Sequence, residues 1–255
     1  MTGSRSQASN PLRLSSLVLL LATLAFLIAP SVTPPFRGYD PGLFPVAITR
    51  PAIQPAGYAF AIWGLIYLWL IAHAGFGLWA RHDDPAWRRT RLPLTGAVLL
   101  GSVWLAIAQN HPIIATIAIL AMAALALTAF LRAPTQPDRW LLSAPLAIFA
   151  GWLTAAATVS VGLVMAGYGV MSNTGTALTL LVVVAVLAMW VQSRKPAMPV
   201  YGATVVWALL GIVAANWTDL KSVAIAALIG AVILVGITFV MARRQALTAR
   251  SVIAP

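Results

Sequence analysis

The chain has 255 residues, 61% hydrophobic and 8% charged, with a mean hydropathy of +0.91. A soluble domain carries about 25% charged residues, so the principal solvent of this chain is lipid. Its formal net charge is +11 and it holds no Cys. That excludes disulfide and thiolate chemistry. No basic segment carries the interleaved aromatics that stack bases, so nucleic acid is excluded as a partner.

Residues 1–12 are polar and Ser-rich and read as a disordered cytoplasmic tail. The first apolar run, 13–29, follows Arg5 and Arg13 as a signal peptide would. It ends FLIAPS without a small-x-small cleavage site, so an uncleaved helix is expected. The connection 30–54 contains Pro30, Pro34, Pro35, Pro41, Pro45 and Pro51 and cannot be one helix. Phe36, Tyr39, Leu43 and Phe44 make it either a lid packed on something or a segment lying on lipid headgroups.

Seven further runs approach the ~20 residues needed to cross a bilayer: 55–80, 93–110, 112–131, 143–165, 174–191, 200–216 and 222–242. The fold class is therefore all-α, a polytopic membrane bundle of about eight helices. With the N-terminus inside, one face holds Arg5, Arg13, Arg81, Arg88, Arg89, Arg91, Arg132, Arg139, Arg194, Lys195, Arg243, Arg244 and Arg250. The other holds Arg37, Arg50 and Lys221. Thirteen against three of the 16 places both termini in the cytoplasm. Helical spans favour a bacterial inner membrane, and the basic face suits anionic lipid.

The inner connection 81–91, RHDDPAWRRTR, reads as a solvated ion-pair cluster. The third, fifth and seventh spans each begin near a Pro (Pro93, Pro145, Pro199) and then carry a Trp (Trp104, Trp152, Trp207), a weak internal repeat. Pro at a helix start is also ordinary helix grammar.

Absent chemistry discriminates. There is no Glu, and the five Asp lie in loops or at span ends, whereas proton relays and ion-coupled carriers place titratable groups within the membrane. Lys195 and Lys221 are loop residues, so no retinal Schiff base is expected. No HExxH, GxSxG or metal-ligand cluster occurs. His73 and His111 lie at different depths and do not suit bis-His haem ligation. The chain is expected not to be an enzyme and to need no obligatory cofactor.

Ten Trp are present. Trp79, Trp87, Trp140, Trp190 and Trp217 fall near span ends, where aromatic belts belong. Trp63, Trp69, Trp104, Trp152 and Trp207 fall within spans, where an indole N–H needs a partner or a wet cavity. In QPAGYAFAIWGLIY, Trp63 and Tyr67 are four apart and share a face with Phe60. Trp63 and Trp104 come to similar depth, each roughly 10 Å below the outer surface. These rings either line one outward-opening cavity or fill the bundle core. A flat hydrophobic ligand would stack on Trp and Tyr while Gln109 and Asn110 fix its orientation.

RPAIQPAGYAFAIWGLIY resembles the signature of the TspO/MBR family, the tryptophan-rich sensory and translocator proteins, whose KPxWxPP loop leads into WVFxxVWxxLY. Arg50 and Pro51 match the KP, and Pro55 one Pro of the PP. Tyr58 and Phe60 take the aromatic positions, and Trp63 and Tyr67 keep the WxxxY spacing. WLAIAQN and PLAIFAGWLTAAAT are similar to family segments of the third and fifth helices. Ile53 stands where the family has Trp, and Ala56 where it has the second Pro.

The resemblance covers about the first 165 residues. It implies a five-helix bundle over 13–166 with a periplasmic lid at 31–54, extended by three helices over 167–255. It implies a receptor or carrier for a planar hydrophobic ligand, a porphyrin or other tetrapyrrole of haem type, with a sensory or regulatory role. The expected ligand-binding set is Pro51, Pro55, Tyr58, Phe60, Trp63, Tyr67, Trp104, Gln109, Asn110 and Trp152. The alternatives are a permease for small neutral solutes and an accessory subunit of a pigment-bearing membrane complex. The expected partners are membrane lipid, a hydrophobic small molecule, and a second copy or a larger assembly.

Overall fold

The computed structural model describes residues 11–36 and 38–251. Eight α-helices account for most of them: α1 (Pro11–Val32), α2 (Ile62–Ala80), α3 (Pro85–Ala108), α4 (Pro112–Arg132), α5 (Ala144–Gly167), α6 (Asn173–Arg194), α7 (Val200–Asn216) and α8 (Lys221–Ser251). No β-strand occurs among the described residues. Seven of the helical segments are long and apolar enough to cross a membrane. The eighth, α7, has 17 residues, a length of about 26 Å. The chain is an integral membrane protein. The first ten residues of the expected tail lie outside the described residues, and Pro11 and Leu12 already belong to α1.

The first five helices close a ring. α1 packs on α2 and α3, α3 on α4, α4 on α5, and α5 returns to α2. α5 also packs on α6 and α7, which meet α8. Its sequence, APLAIFAGWLTAAATVSVGLVMAG, is apolar on every side, as a helix surrounded by neighbours must be. Small residues let those neighbours approach. A Cβ on Gly151 would sit 2.9 Å from the carbonyl oxygen of Tyr201 on α7, and one on Gly162 2.8 Å from the Ile53 side chain. Hydroxyls within helices bond back to carbonyls four residues earlier, as Thr23, Thr116, Thr154, Thr158 and Thr204 do at 2.8 Å. This satisfies polar atoms that hydrocarbon cannot.

Several boundaries differ from the sequence reading. α1 runs past Pro30 to Val32. α3 begins at Pro85, eight residues before Pro93, because the Asp84 carboxylate caps the amides of Ala86 (2.7 Å) and Trp87 (3.4 Å). Pro93 is therefore inside a helix and is no counterpart of Pro145 and Pro199, so the repeat loses a member. The connection 81–91 is not a self-contained solvated cluster either. Arg81 pairs at 2.8 Å with Asp138 from the α4–α5 connection, which also accepts from Trp87 Nε1 at 2.9 Å.

The ends of α2, α4, α6 and α8 and the starts of α3, α5 and α7 carry most of the cations and lie at one end of the bundle. The connection after α1 lies at the other.

Candidate functional site

The connection between α1 and α2 folds onto the bundle instead of lying on headgroups. The Asp40 side chain accepts from the Gly42 amide at 2.9 Å and starts a short 3-10 turn, Pro41–Leu43. Around it runs a chain of edge-to-face rings: Trp104 to Phe36 (5.2 Å), Phe36 to Tyr39 (5.6 Å), Tyr39 to Phe44 (6.1 Å) and Phe44 to Tyr168 (5.9 Å). Phe44 seats where Gly167 has no Cβ, since one there would lie 2.4 Å from its ring. Tyr39, 7% exposed, shares a 2.6 Å hydrogen bond with Ser160 of α5, which shares another of 2.7 Å with Thr116 of α4. Burial pushes the Tyr39 phenol above its ordinary value, so it stays protonated through neutral pH.

Beneath this roof is a cavity of about 410 Å³. The connection supplies Phe36, Gly38, Tyr39, Gln54 and Pro55, and the 3-10 turn Gly57–Ala61 ahead of α2 supplies Gly57 and Phe60. α3 gives Trp104 and α4 gives Ile119. α5 gives Trp152, Ala155, Ala156, Val159, Ser160 and Leu163. The spacing of these six, three and four residues apart, is a single helical stripe, and its small members hollow out the space. The described lining carries no Lys, Arg, Asp, Glu, His or Met. Its polar groups are the Tyr39–Ser160 hydroxyls, Gln54 and two indoles. Trp104 Nε1 donates to Ala115 O at 2.8 Å, whereas Trp152 Nε1, on a residue 2% exposed, has no partner.

Of the ten residues expected at a ligand site, Pro55, Phe60, Trp104 and Trp152 line this cavity. The other six do not. Trp63 and Tyr67 stack on each other at 5.3 Å and pack instead on Phe26 of α1, at 5.8 and 5.1 Å. Phe26 reaches them by filling a notch left by Gly101, where a Cβ would be 2.4 Å from its ring. The WxxxY pair is thus a ring cluster behind the cavity wall.

Tyr58, 51% exposed, meets Trp207 edge-on at 5.7 Å, because the 3-10 turn points it toward α7. Pro51 is held in a turn, its carbonyl accepting from Gln54 N at 3.1 Å. Gln109 donates to Pro34 O at 3.1 Å and Asn110 is exposed, so both lie outside the described lining. His73 stacks on Trp87 at 4.7 Å and contacts Leu141 O through Nδ1 at 2.8 Å. No group of residues able to hold a metal ion occurs among the described residues.

The residues missed by sequence reasoning are chiefly Tyr39 as a lining group and the α5 stripe beyond Trp152. The stripe's signal was present in WLTAAATVSVGL, where helical spacing of small residues follows a Trp.

A family model described as TSPO-like protein matches residues 14–240. The chain belongs to the TSPO-like family. The match runs on through α6, α7 and nearly all of the apolar part of α8, well beyond the 165 residues over which motifs were recognised. No curated protein and no solved structure matches the chain.

Proposed function

We propose that this TSPO-like membrane protein is a receptor or carrier that holds an uncharged, planar hydrophobic molecule in the cavity between its outer connection and α5. The observation that carries this reading is the lining itself: aromatic surfaces on Phe36, Phe60, Trp104 and Trp152, a small-residue floor, and few polar groups. A volume near 410 Å³ falls within the range of small-molecule sites, about 300–1,000 Å³. Trp152 Nε1 is shut off from the cavity and leaves a donor unsatisfied in the wall, which costs roughly 1–3 kcal/mol.

The same lining bears on the tetrapyrrole expectation. It presents no His, Met or Cys as an axial ligand, and the Tyr39 hydroxyl is engaged with Ser160. The described lining also has no cation to pair with carboxylates. Among the described lining residues, the chemistry suits a neutral, metal-free ring better than haem or another carboxylate-bearing porphyrin. Binding is favoured over catalysis because the hydroxyl chain Tyr39–Ser160–Thr116 has no carboxylate or imidazole beside it in the lining. The charge distribution supports a bacterial inner membrane with cytoplasmic termini.

The test is tryptophan fluorescence quenching of the purified protein by protoporphyrin dimethyl ester and by the free diacid. The diester should quench saturably and the diacid at least tenfold more weakly. Ala156→Phe, which fills the cavity, should abolish diester quenching without shifting the thermal midpoint. Equal quenching of wild type and Ala156→Phe would overturn the reading.

A further inference from the structure

One side of the cavity is closed by Gln54, Pro55, Gly57 and Phe60, and the segment that carries them is held by helices that contribute nothing to its described lining. Asn173, at the start of α6, grips it twice: its Oδ1 accepts from Ala52 N and its Nδ2 donates to Arg50 O, each at 2.9 Å. Buried Asn216, at the end of α7, donates to Ala52 O at 2.9 Å. Trp207 Nε1 donates to Ala59 O at 2.9 Å, and Ala56 N to Gly211 O at 3.0 Å. The approach is so close that a Cβ on Gly211 would lie 2.9 Å from the Cβ atoms of both Pro55 and Ala59. At the rim, Arg50 pairs with Asp219 and donates to Ala215 O at 2.8 Å.

The earlier half of the same connection, Phe36 to Phe44, is instead held by α3, α4 and α5. Tyr39 thus bonds to α5, whereas the backbone from Arg50 to Ala59 bonds to α6 and α7, with Ile53 also packed on Gly162 of α5.

We propose that α6 and α7 form a clamp that sets the position of the cavity wall, with Asn173 and Asn216 as positioning residues for a ligand they never touch. The amide groups supply backbone partners that the segment between Pro51 and Pro55 cannot find in a helix or strand. An unpaired backbone group at membrane depth is costly, so the segment follows wherever α6 and α7 carry those amides. The ligand half of this inference rests on the proposed binding function; the mechanical half does not.

The absence of Cys makes the mechanical half directly readable. In full-length protein, Ile53→Cys introduces one thiol at a buried position on the held segment, 3% exposed in the native chain. Its reaction with a small maleimide should be slow. Adding Asn173→Ala with Asn216→Ala should speed it about tenfold, the scale of losing a buried hydrogen bond. Thr128→Ala, on the exposed face of α4, should leave it unchanged. The diester affinity should fall about tenfold with the same Asn pair replaced in the Ile53 parent.

An unchanged labelling rate would overturn the clamp. Faster labelling with unchanged diester affinity would overturn the positioning role. Faster labelling in a protein that binds no diester in any form would leave the clamp standing and sink the ligand reading. If the Asn pair variant does not fold, Asp219→Asn at the exposed rim decides, with a two- to threefold rise expected and no rise contradicting the clamp.

Discussion

The Tyr39 hydroxyl lies 2.6 Å from Ser160 Oγ, joining residues 121 apart in sequence and fastening the outer connection to the inside of α5. Because Ser160 also bonds Thr116, one phenol ties together the connection, α4 and α5. Tyr39→Phe keeps the ring contacts with Phe36 and Phe44 and removes only this link. The expected cost is about 1 kcal/mol, read as a roughly fivefold faster release of the diester in stopped-flow fluorescence.

Phe26 and Gly101 form a knob and its notch. Gly101→Ala would bring a methyl to within 2.4 Å of the Phe26 ring, and overpacking of this kind costs about 1–3 kcal/mol. The thermal midpoint in detergent should drop, and Phe26→Leu in the same chain should restore part of it. Diester affinity should change little, since neither residue lines the cavity.

Asp138 is held below the ordinary carboxylate value, first by its hydrogen bond with Arg81 and also by Trp87 Nε1. A depressed carboxylate stabilises the fold at pH values above its unfolded pKa, and that contribution disappears as pH falls through the folded pKa. Asp138→Asn should therefore lower the thermal midpoint at pH 5 to 7. The gap between variant and wild type should close only below the ordinary carboxylate range, near pH 4 and lower. A gap that persisted unchanged at about pH 2.5 would contradict this assignment.

Trp152 carries the one cavity indole without a partner. Trp152→Phe should preserve the edge-to-face contact with Phe60 and raise thermal stability slightly by removing a buried unsatisfied donor. It should weaken an acceptor-bearing ligand and an isosteric hydrocarbon equally, because the nitrogen is shut off from the cavity. A loss confined to the acceptor-bearing probe would contradict this.

The helices were legible because lipid demands long apolar runs, and the count of eight came through with boundaries shifted by local chemistry. Asp84 illustrates the shift: a charged residue in a basic stretch reads as loop, yet its carboxylate opens α3. The cavity was half legible. Pro55, Phe60, Trp104 and Trp152 were expected in it, since bulky rings with polar handles announce themselves.

Trp63 and Tyr67 share a helix face as their spacing requires, but spacing does not say which neighbour that face meets. Phe26, 37 positions upstream of Trp63, and Gly101 settled it. The α5 wall was overlooked because alanines look like filler until a Trp, a Ser and a lid show what they leave empty. The dependence of residues 50 to 60 on Asn173 and Asn216 had no local signal, for it joins parts of the chain more than 120 residues apart.

The central claim is that the ligand sits between the outer connection and the α5 stripe. Photolabelling with a neutral, ring-bearing diazirine, mapped by peptide mass spectrometry, measures this most directly. Label on residues 36–39 and 152–163, competed away by the protoporphyrin diester and absent in Ala156→Phe, is the predicted result. Label confined to outward-facing side chains of α8 such as Val232 and Phe239, or undiminished by competitor, would contradict it.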